Sequence, residues 1–335
     1  MKKVTMQDVA KKAGVSKSTV SHYINNRYEY MAEDTKKRIE KAINELGYIP
    51  NYIAKSLKQK KTFTIGVIVA NIIHSFSNEI IRAIEDVCEE NDVHIFVCNA
   101  DDNPAKEKSY MDMLIAKQVD GLIIFPTGGN MDYYHSLKEN NFPIVFIDRK
   151  IEPCIYPTFM LDNKKAASLA VNELIKSNKK KIGLVSTAIN KEITPRIERI
   201  EGFKKTLIDN GINVNEDWII ATDRENIVNE LEAIWSKETF PDAFFAVNDL
   251  SLIELLKFIK SKKLNIPEQV SVISIDDSPF LEISTPPTTV VKQPTFDIGR
   301  DAAKKLLELI SNNDLQEVYD VNRYTPILVR RDSVY

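Results

Sequence analysis

The stretch Val4–Asn25, VTMQDVAKKAGVSKSTVSHYIN, decides how the chain begins to fold. Thr5-Met6-Gln7-Asp8 has the form of a capping box: the threonine hydroxyl accepts from a free amide at a helix start, and Asp8 reaches back to the backbone before it. Val9, Ala10 and Ala13 then share one helical face. Gly14 follows where a tight turn needs a residue tolerant of positive φ. Ser16 is placed to cap a second helix over Lys17–Asn25, with Val20 and Ile24 facing inward. Two short helices joined by a glycine turn, with small alanines at the close approach, spell a helix-turn-helix. A third helix fits Glu33–Leu46, where Ile39, Ala42, Ile43 and Leu46 form the apolar stripe and Gly47 is the stop.

Charge is concentrated in the same region. Residues 1–61 hold 14 Lys/Arg and 6 Asp/Glu, a net of +8, whereas the remaining 274 residues carry a net of −11. A cationic head on an acidic body is drawn to polyanions. A helix-turn-helix lays its second helix in the major groove, so Lys17, Ser18 and His22, outward near that helix's start, are the candidate base readers. After the break Tyr48-Ile49-Pro50-Asn51 comes Tyr52–Lys61, a basic segment too short to hold a helix alone in water. It carries Leu57 among cations, the arrangement of a side chain that wedges between base steps in a minor groove.

From Thr62 the pattern changes. Strand-like runs at Thr64–Ala70, Val93–Asn99, Gly121–Phe125, Pro143–Asp148, Lys181–Ser186, Ala243–Val247 and Ser271–Ile275 alternate with amphipathic stretches such as Ser77–Asn91 and Lys164–Asn178. Such alternation implies an α/β body of parallel sheets covered on both faces by helices. The series is too long for one sheet and breaks near Phe159–Asp162, so two lobes are expected, although no tandem repeat supports the split. Ligands of open parallel sheets bind beyond the strands' carboxyl ends. Here those ends carry Asn71 and the following Phe76, Asp148-Arg149, Asn248-Asp249 and Asp276-Asp277.

Other classes are excluded on composition. With 335 residues, 43% hydrophobic and 28% charged, the chain has the make-up of a globular protein of two or three domains. No apolar run approaches the roughly 20 residues of a membrane span, and MKKVTMQDVAKKAGV lacks the apolar core of a secretory signal. Cys88, Cys98 and Cys154 show no CxxC spacing, which fits a reducing cytoplasm. The ten glycines form no GxGxxG, GxxxxGK or GxSxG, and His22, His74, His94 and His135 have no metal-binding spacing. Neither an enzyme nor a metal or other cofactor is expected.

The head and the segment after it, TKKRIEKAINELGYIPNYIAKSLKQKKTFTIGVIV, resemble the lactose-repressor (LacI/GalR) family of transcriptional regulators. The resemblance continues through AKQVDGLIIFPTG, ERIEGF, AVNDLSLIELLKFI, IPEQVSVISIDD and TTVVKQPTFDIGRDAAKKLLELI. It implies a helix-turn-helix domain over 1–49 and a hinge over 50–61 that folds when two protomers meet on DNA. It further implies a body like the periplasmic sugar-binding proteins, with one lobe of 62–161 and 291–323 and another of 162–290 and 324–335. On that pattern Leu57 is the wedge, Lys58 its minor-groove neighbour, and Asn25, Tyr48 and Asn51 contact phosphate. Phe76, Arg199, Asn248 and Asp276 would hold an effector between the lobes, with Asn71 and Arg149 nearby. The implied partners are a palindromic double-stranded operator, a sugar or sugar-acid effector and a second copy of the chain, with no membrane.

Two departures bear on specificity. The loop Asn26–Met31 is longer and more aromatic than the family's usual one, and Arg224 stands near where the family often has an aromatic ring. With Arg149, Arg196 and Arg199 it suits a carboxylate or phosphate. Within the family the chain is similar to regulators of ketodeoxygluconate and hexuronate use, which makes a sugar acid such as 2-keto-3-deoxygluconate the expected effector. Two other readings remain open: a solute-binding protein, which leaves the head unexplained, and a regulator gated by a protein partner.

Overall fold

The computed structural model describes residues 4–29, 31–49, 61–189, 194–312, 315, 316 and 318–334. The chain divides into two compact units, Met1–Thr62 and Phe63–Tyr335. Asn51, Leu57 and Lys58 lie outside the described residues.

In the first unit α1 spans Met6–Ala13, α2 Lys17–Ile24 and α3 Glu33–Leu46. The reciprocal Thr5–Asp8 box opens α1, with the Thr5 amide donating to Asp8 Oδ2 at 2.8 Å. Gly14 closes α1 at φ 66, the left-handed region in which a side chain is disfavoured. Ser16 Oγ accepts from the Thr19 amide at 3.1 Å and so opens α2. No side chain caps α3 at Ala32; Glu33 and Asp34 in its first turn face the helix's positive end instead. Val9, Ala10, Ala13, Val20, Ile39, Ala42 and Tyr48 form a small core, with Ile43 and Leu46 against it.

In the second unit, twelve strands among the described residues make two six-stranded sheets. The first contains β1 Thr64–Val69, β2 His94–Asn99, β3 Gly121–Ile124, β4 Ile144–Ile147, β5 Thr158–Leu161 and, from far along the chain, β11 Val321–Tyr324. The second contains β6 Ile182–Thr187, β7 Ile219–Thr222, β8 Ala243–Ala246, β9 Ser271–Ile275, β10 Thr289–Lys292 and β12 Ile327–Val329. Their orders are β2-β1-β3-β4-β5-β11 and β7-β6-β8-β9-β10-β12, one and the same winding. All pairs are parallel except β10 with β12.

Helices cover both faces of each sheet. Inward residues Ile65, Val67 and Val69 of β1 meet α4 (Ser75–Glu90) and α12 (Thr295–Asn312), while Ile68 faces the side of α5 (Pro104–Ala116) and α6 (Met131–Glu139). On the second sheet α7 (Asn163–Lys176) and α8 (Thr194–Asp209) cover one face, and α9 (Ile227–Trp235) and α10 (Asp249–Ser261) the other. A short α11 (Pro279–Ile283) follows β9. Each fully buried Val, Leu or Ile contributes about 1.5–3 kcal/mol, so these four layers carry most of the driving force. The chain passes between sheets three times: after β5, between β10 and α12, and between β11 and β12.

The seven strand-like runs read from the sequence coincide with strands to within a residue or two. Strands β5, β7, β10, β11 and β12 are additional. Each has only three or four residues, and β11 and β12 are half exposed, so none carries a long apolar run.

Candidate nucleic-acid interface and inter-lobe cleft

On the first unit Lys17, Ser18 and His22 are exposed, with Ser18 and His22 one helical turn apart on α2. Ser18 Oγ shares a hydrogen bond with the cap Ser16 Oγ (2.7 Å), which sets its rotamer at the helix entrance. Asn25 uses its Nδ2 to donate to the Ser21 carbonyl at 2.7 Å, closing the C-terminal end of α2. Tyr48 is 7% exposed and packs into the head's core.

The unusual loop after α2 is built around Tyr28. Its hydroxyl donates to Asn26 Oδ1 (2.6 Å), its ring meets Tyr23 edge-on at 5.8 Å, and Lys36 Nζ lies 4.2 Å above it. Arg27, Glu29 and Met31 thereby form one side of a concave surface whose other side is Ser18, Thr19 and His22. The sequence alone leaves this loop's contacts open; Arg27 is the cation it sets beside the α2 face.

On the second unit, the strand order reverses between β1 and β3 and again between β6 and β8, the crevice position for ligands of such sheets. The loops at these two points touch. His74 Nδ1, just before α4, is hydrogen-bonded to Asp249 Oδ1 at the start of α10 (2.5 Å), and the Ser75 amide donates to Asp249 Oδ2 (3.0 Å). Burial pushes the Asp249 carboxyl up, but His74 and the amides of Ser75 and Leu250 outweigh it and hold it below the usual carboxylate range.

Around this contact the sequence-derived residues converge unevenly. Phe76 is buried and meets Phe125 edge-on at 6.1 Å. Asn71 turns its Oδ1 to the Ile73 amide (3.0 Å), and its carbonyl accepts from Ser77 Oγ. Asn248 caps α10 through a reciprocal box with Ser251. Arg199 is 4% exposed; its Nε donates to Asn163 Oδ1 (2.8 Å) and its Nη1 to the Val247 carbonyl (2.7 Å). Asp276 is buried at φ 77 directly after β9 and accepts from Gln293 Nε2 at 2.5 Å. Burial lifts its carboxyl to about 6; Arg199 works against the rise and Asp249 with it.

Arg149 is 5% exposed, with Nη1 on the Pro126 carbonyl (3.0 Å) and Nη2 on Asp102 Oδ1 (2.6 Å). Arg196 approaches the same carboxylate from α8, its Nη2 4.0 Å from Asp102 Oδ2. Burial, followed by the charge of Arg149, lowers Arg196 to about 10. Arg149, Arg196 and Arg199 are thus neighbours. Arg224 is drawn elsewhere: its Nε donates to Glu254 Oε1 of α10 at 2.8 Å, and its side chain is 35% exposed. Arg149, Arg196 and Arg199 thus act on one another through charge, whereas Arg224 is paired with Glu254 of α10.

Asp102, Gln293 and His74 were absent from the sequence-derived set; Asp249 was read at its strand end, but not its pairing with His74. Glu107 was missed too; it accepts from the Thr127 amide, Asn130 Nδ2 and the Tyr134 hydroxyl, fixing the loop whose Pro126 carbonyl orients Arg149. Asp102 does follow a strand by three residues, the signal that found the others. Among the described residues no group of histidines, cysteines and acids is arranged for a metal ion, and no helix is long and apolar enough to cross a membrane.

A helix-turn-helix unit joined to a doubly wound, two-sheet body defines a DNA-binding transcription regulator. Residues 5–51 match the family described as bacterial regulatory proteins, lacI family, and residues 171–334 match the periplasmic binding protein-like domain. The "Probable HTH-type transcriptional regulator EndR" of Paenibacillus polymyxa is 44% identical over 333 residues, 98% of each chain. The "HTH-type transcriptional regulator KdgR" of Bacillus subtilis (strain 168) is 33% identical over 314 residues, 92% of each chain. Among solved structures, the lac repressor dimer bound to operator and the anti-inducer ONPF matches with a TM-score of 0.85 at 24% identity, covering 99% of both chains. The chain belongs to the lacI family of bacterial regulatory proteins, as a DNA-binding transcriptional repressor.

Proposed function

We propose that two copies of the chain bind a palindromic operator in the cytoplasm and that a small acidic sugar, of the 2-keto-3-deoxygluconate kind, gates them from the cleft between the two sheets. The carrying observation is the group of guanidiniums, buried Arg149 from one lobe with half-buried Arg196 and buried Arg199 from the other, at the strand ends where ligands of this fold sit. Arginine's planar fork matches a carboxylate, and Asp276 is placed to accept from sugar hydroxyls. Phe76, Asn248 and Asn71 would complete the wall, and Arg224 would act at its rim through Glu254.

In this reading Lys17, Ser18 and His22 read bases, Asn25, Tyr48 and Asn51 hold phosphates, and Leu57 with Lys58 enters the minor groove. The domain limits are those of the sequence reading: head to 49, hinge 50–61, and lobes exchanging at 161/162, 290/291 and 323/324. Ligand binding changes the separation of the hinges, and segments that fold only on DNA lose binding when that separation is wrong.

The test is a fluorescence-anisotropy titration of the full-length protein on palindromic and scrambled duplexes, with sugar acids and matched neutral sugars added in turn. A sugar acid that shifts the palindrome titration, with Arg199→Ala losing that response but still binding DNA, supports the reading. Indifference to every sugar and sugar acid rejects the gate, and equal affinity for scrambled DNA rejects the operator.

A further inference from the structure

The turn between β2 and α5 holds a carboxylate between two arginines of opposite lobes. Asp102 Oδ1 accepts from Arg149 Nη2 at 2.6 Å, while Asp102 Oδ2 faces Arg196 Nη2 at 4.0 Å. The Asp102 amide donates to the Ala70 carbonyl (2.7 Å), and Asn103 begins α5 by capping it, so the carboxylate is fixed from both sides. Arg149 is 95% buried, yet its Nε has no hydrogen-bond partner among the described residues; the nearest carboxylate oxygen, on Asp148, is 3.8 Å away. A buried arginine nitrogen left over, and a second guanidinium held just beyond bonding distance, describe a seat for more carboxylate than the protein supplies.

We propose that Asp102 is a built-in stand-in for the effector's carboxylate: an acidic ligand takes the seat between Arg149 and Arg196 by displacing Asp102, whereas a neutral sugar leaves Asp102 in place. The inference rests on the effector reading above and assigns Arg196 and Asp102 as the residues that select acid over neutral ligand. Asp102 thereby tunes affinity downward, so that only a ligand offering both a carboxylate and hydroxyls for Asp276 competes well.

Asp102→Gly in the full-length protein isolates the carboxylate, because φ is 53 at this position and suits glycine. The group removed is the free acetate ion in all but its attachment. Melting temperature is measured with sodium acetate, with neutral acetamide and with sodium chloride at matched ionic strength. Acetate is expected to raise the melting temperature of Asp102→Gly and not of the parent, acetamide to do neither, and Arg196→Gln in the same chain to abolish the rescue. D-gluconate and its neutral counterpart D-glucitol are then titrated, and gluconate should bind about tenfold more tightly to Asp102→Gly, with glucitol unmoved. Acetate acting equally on parent and variant, or rescue surviving Arg196→Gln, overturns the seat. Should Asp102→Gly fail to fold, Arg196→Gln alone decides: an about tenfold loss for gluconate only supports the proposal, and unchanged gluconate binding overturns it. Specific acetate rescue with no response to any sugar or sugar acid keeps the seat and removes the effector reading. Gluconate binding the parent and Arg196→Gln alike, with no acetate rescue, does the opposite.

Discussion

Two acids in the cleft are pulled in opposite directions by their surroundings. Asp249 is held low by His74 and backbone amides, whereas buried Asp276 is raised to about 6 despite Arg199. The unfolded chain releases the Asp276 proton near 4, about two units lower, so the folded chain holds it over that interval. The stability gained from this proton is complete below about pH 4 and lost as pH rises through 6. Asp276→Asn, which keeps an acceptor for Gln293, should therefore melt above the parent at pH 8, with the gap narrowing by pH 5; scanning calorimetry at the two values checks it. The sequence revealed Asp276, Arg199 and Asn248 because each follows a buried strand or sits in a family motif. Asp102, Gln293 and His74 escaped it, since the groups that give them a role lie 47, 17 and 175 residues away.

Helices α1, α2 and α3 were legible almost to the residue, because capping boxes, glycine stops and apolar stripes are local signals. The short strands were not, since a three- or four-residue strand is defined by its neighbours in the sheet. Packing between helices was equally hidden. A Cβ on Gly202 of α8 would sit 2.8 Å from the Lys164 carbonyl oxygen and 2.9 Å from Ala167 Cβ, so the α7–α8 contact depends on the missing side chain. Gly202→Val should cost about 1–3 kcal/mol by overpacking, outweighing any gain in helix propensity, and chemical denaturation of the full chain measures it. Thr5→Ala removes one half of the box that opens α1 and should cost about 1 kcal/mol, read as earlier loss of DNA binding on heating.

Across the whole chain the charge is divided so that +8 resides in residues 1–61. Operator affinity should therefore fall steeply with salt: if six phosphates are neutralised, about a thousandfold between 50 and 200 mM, measured by anisotropy. A nearly flat salt response would place the recognition energy elsewhere. The equal winding of the two sheets was not legible, because topology repeats here without any repeat of sequence. The interleaving of those sheets also bears on synthesis. Among the described residues, the three-helix head draws its core from positions up to 48, whereas the first sheet waits for residues 321–324 and the second for 327–329. A ribosome most of the way through the message thus trails a finished three-helix head on an unfinished controller.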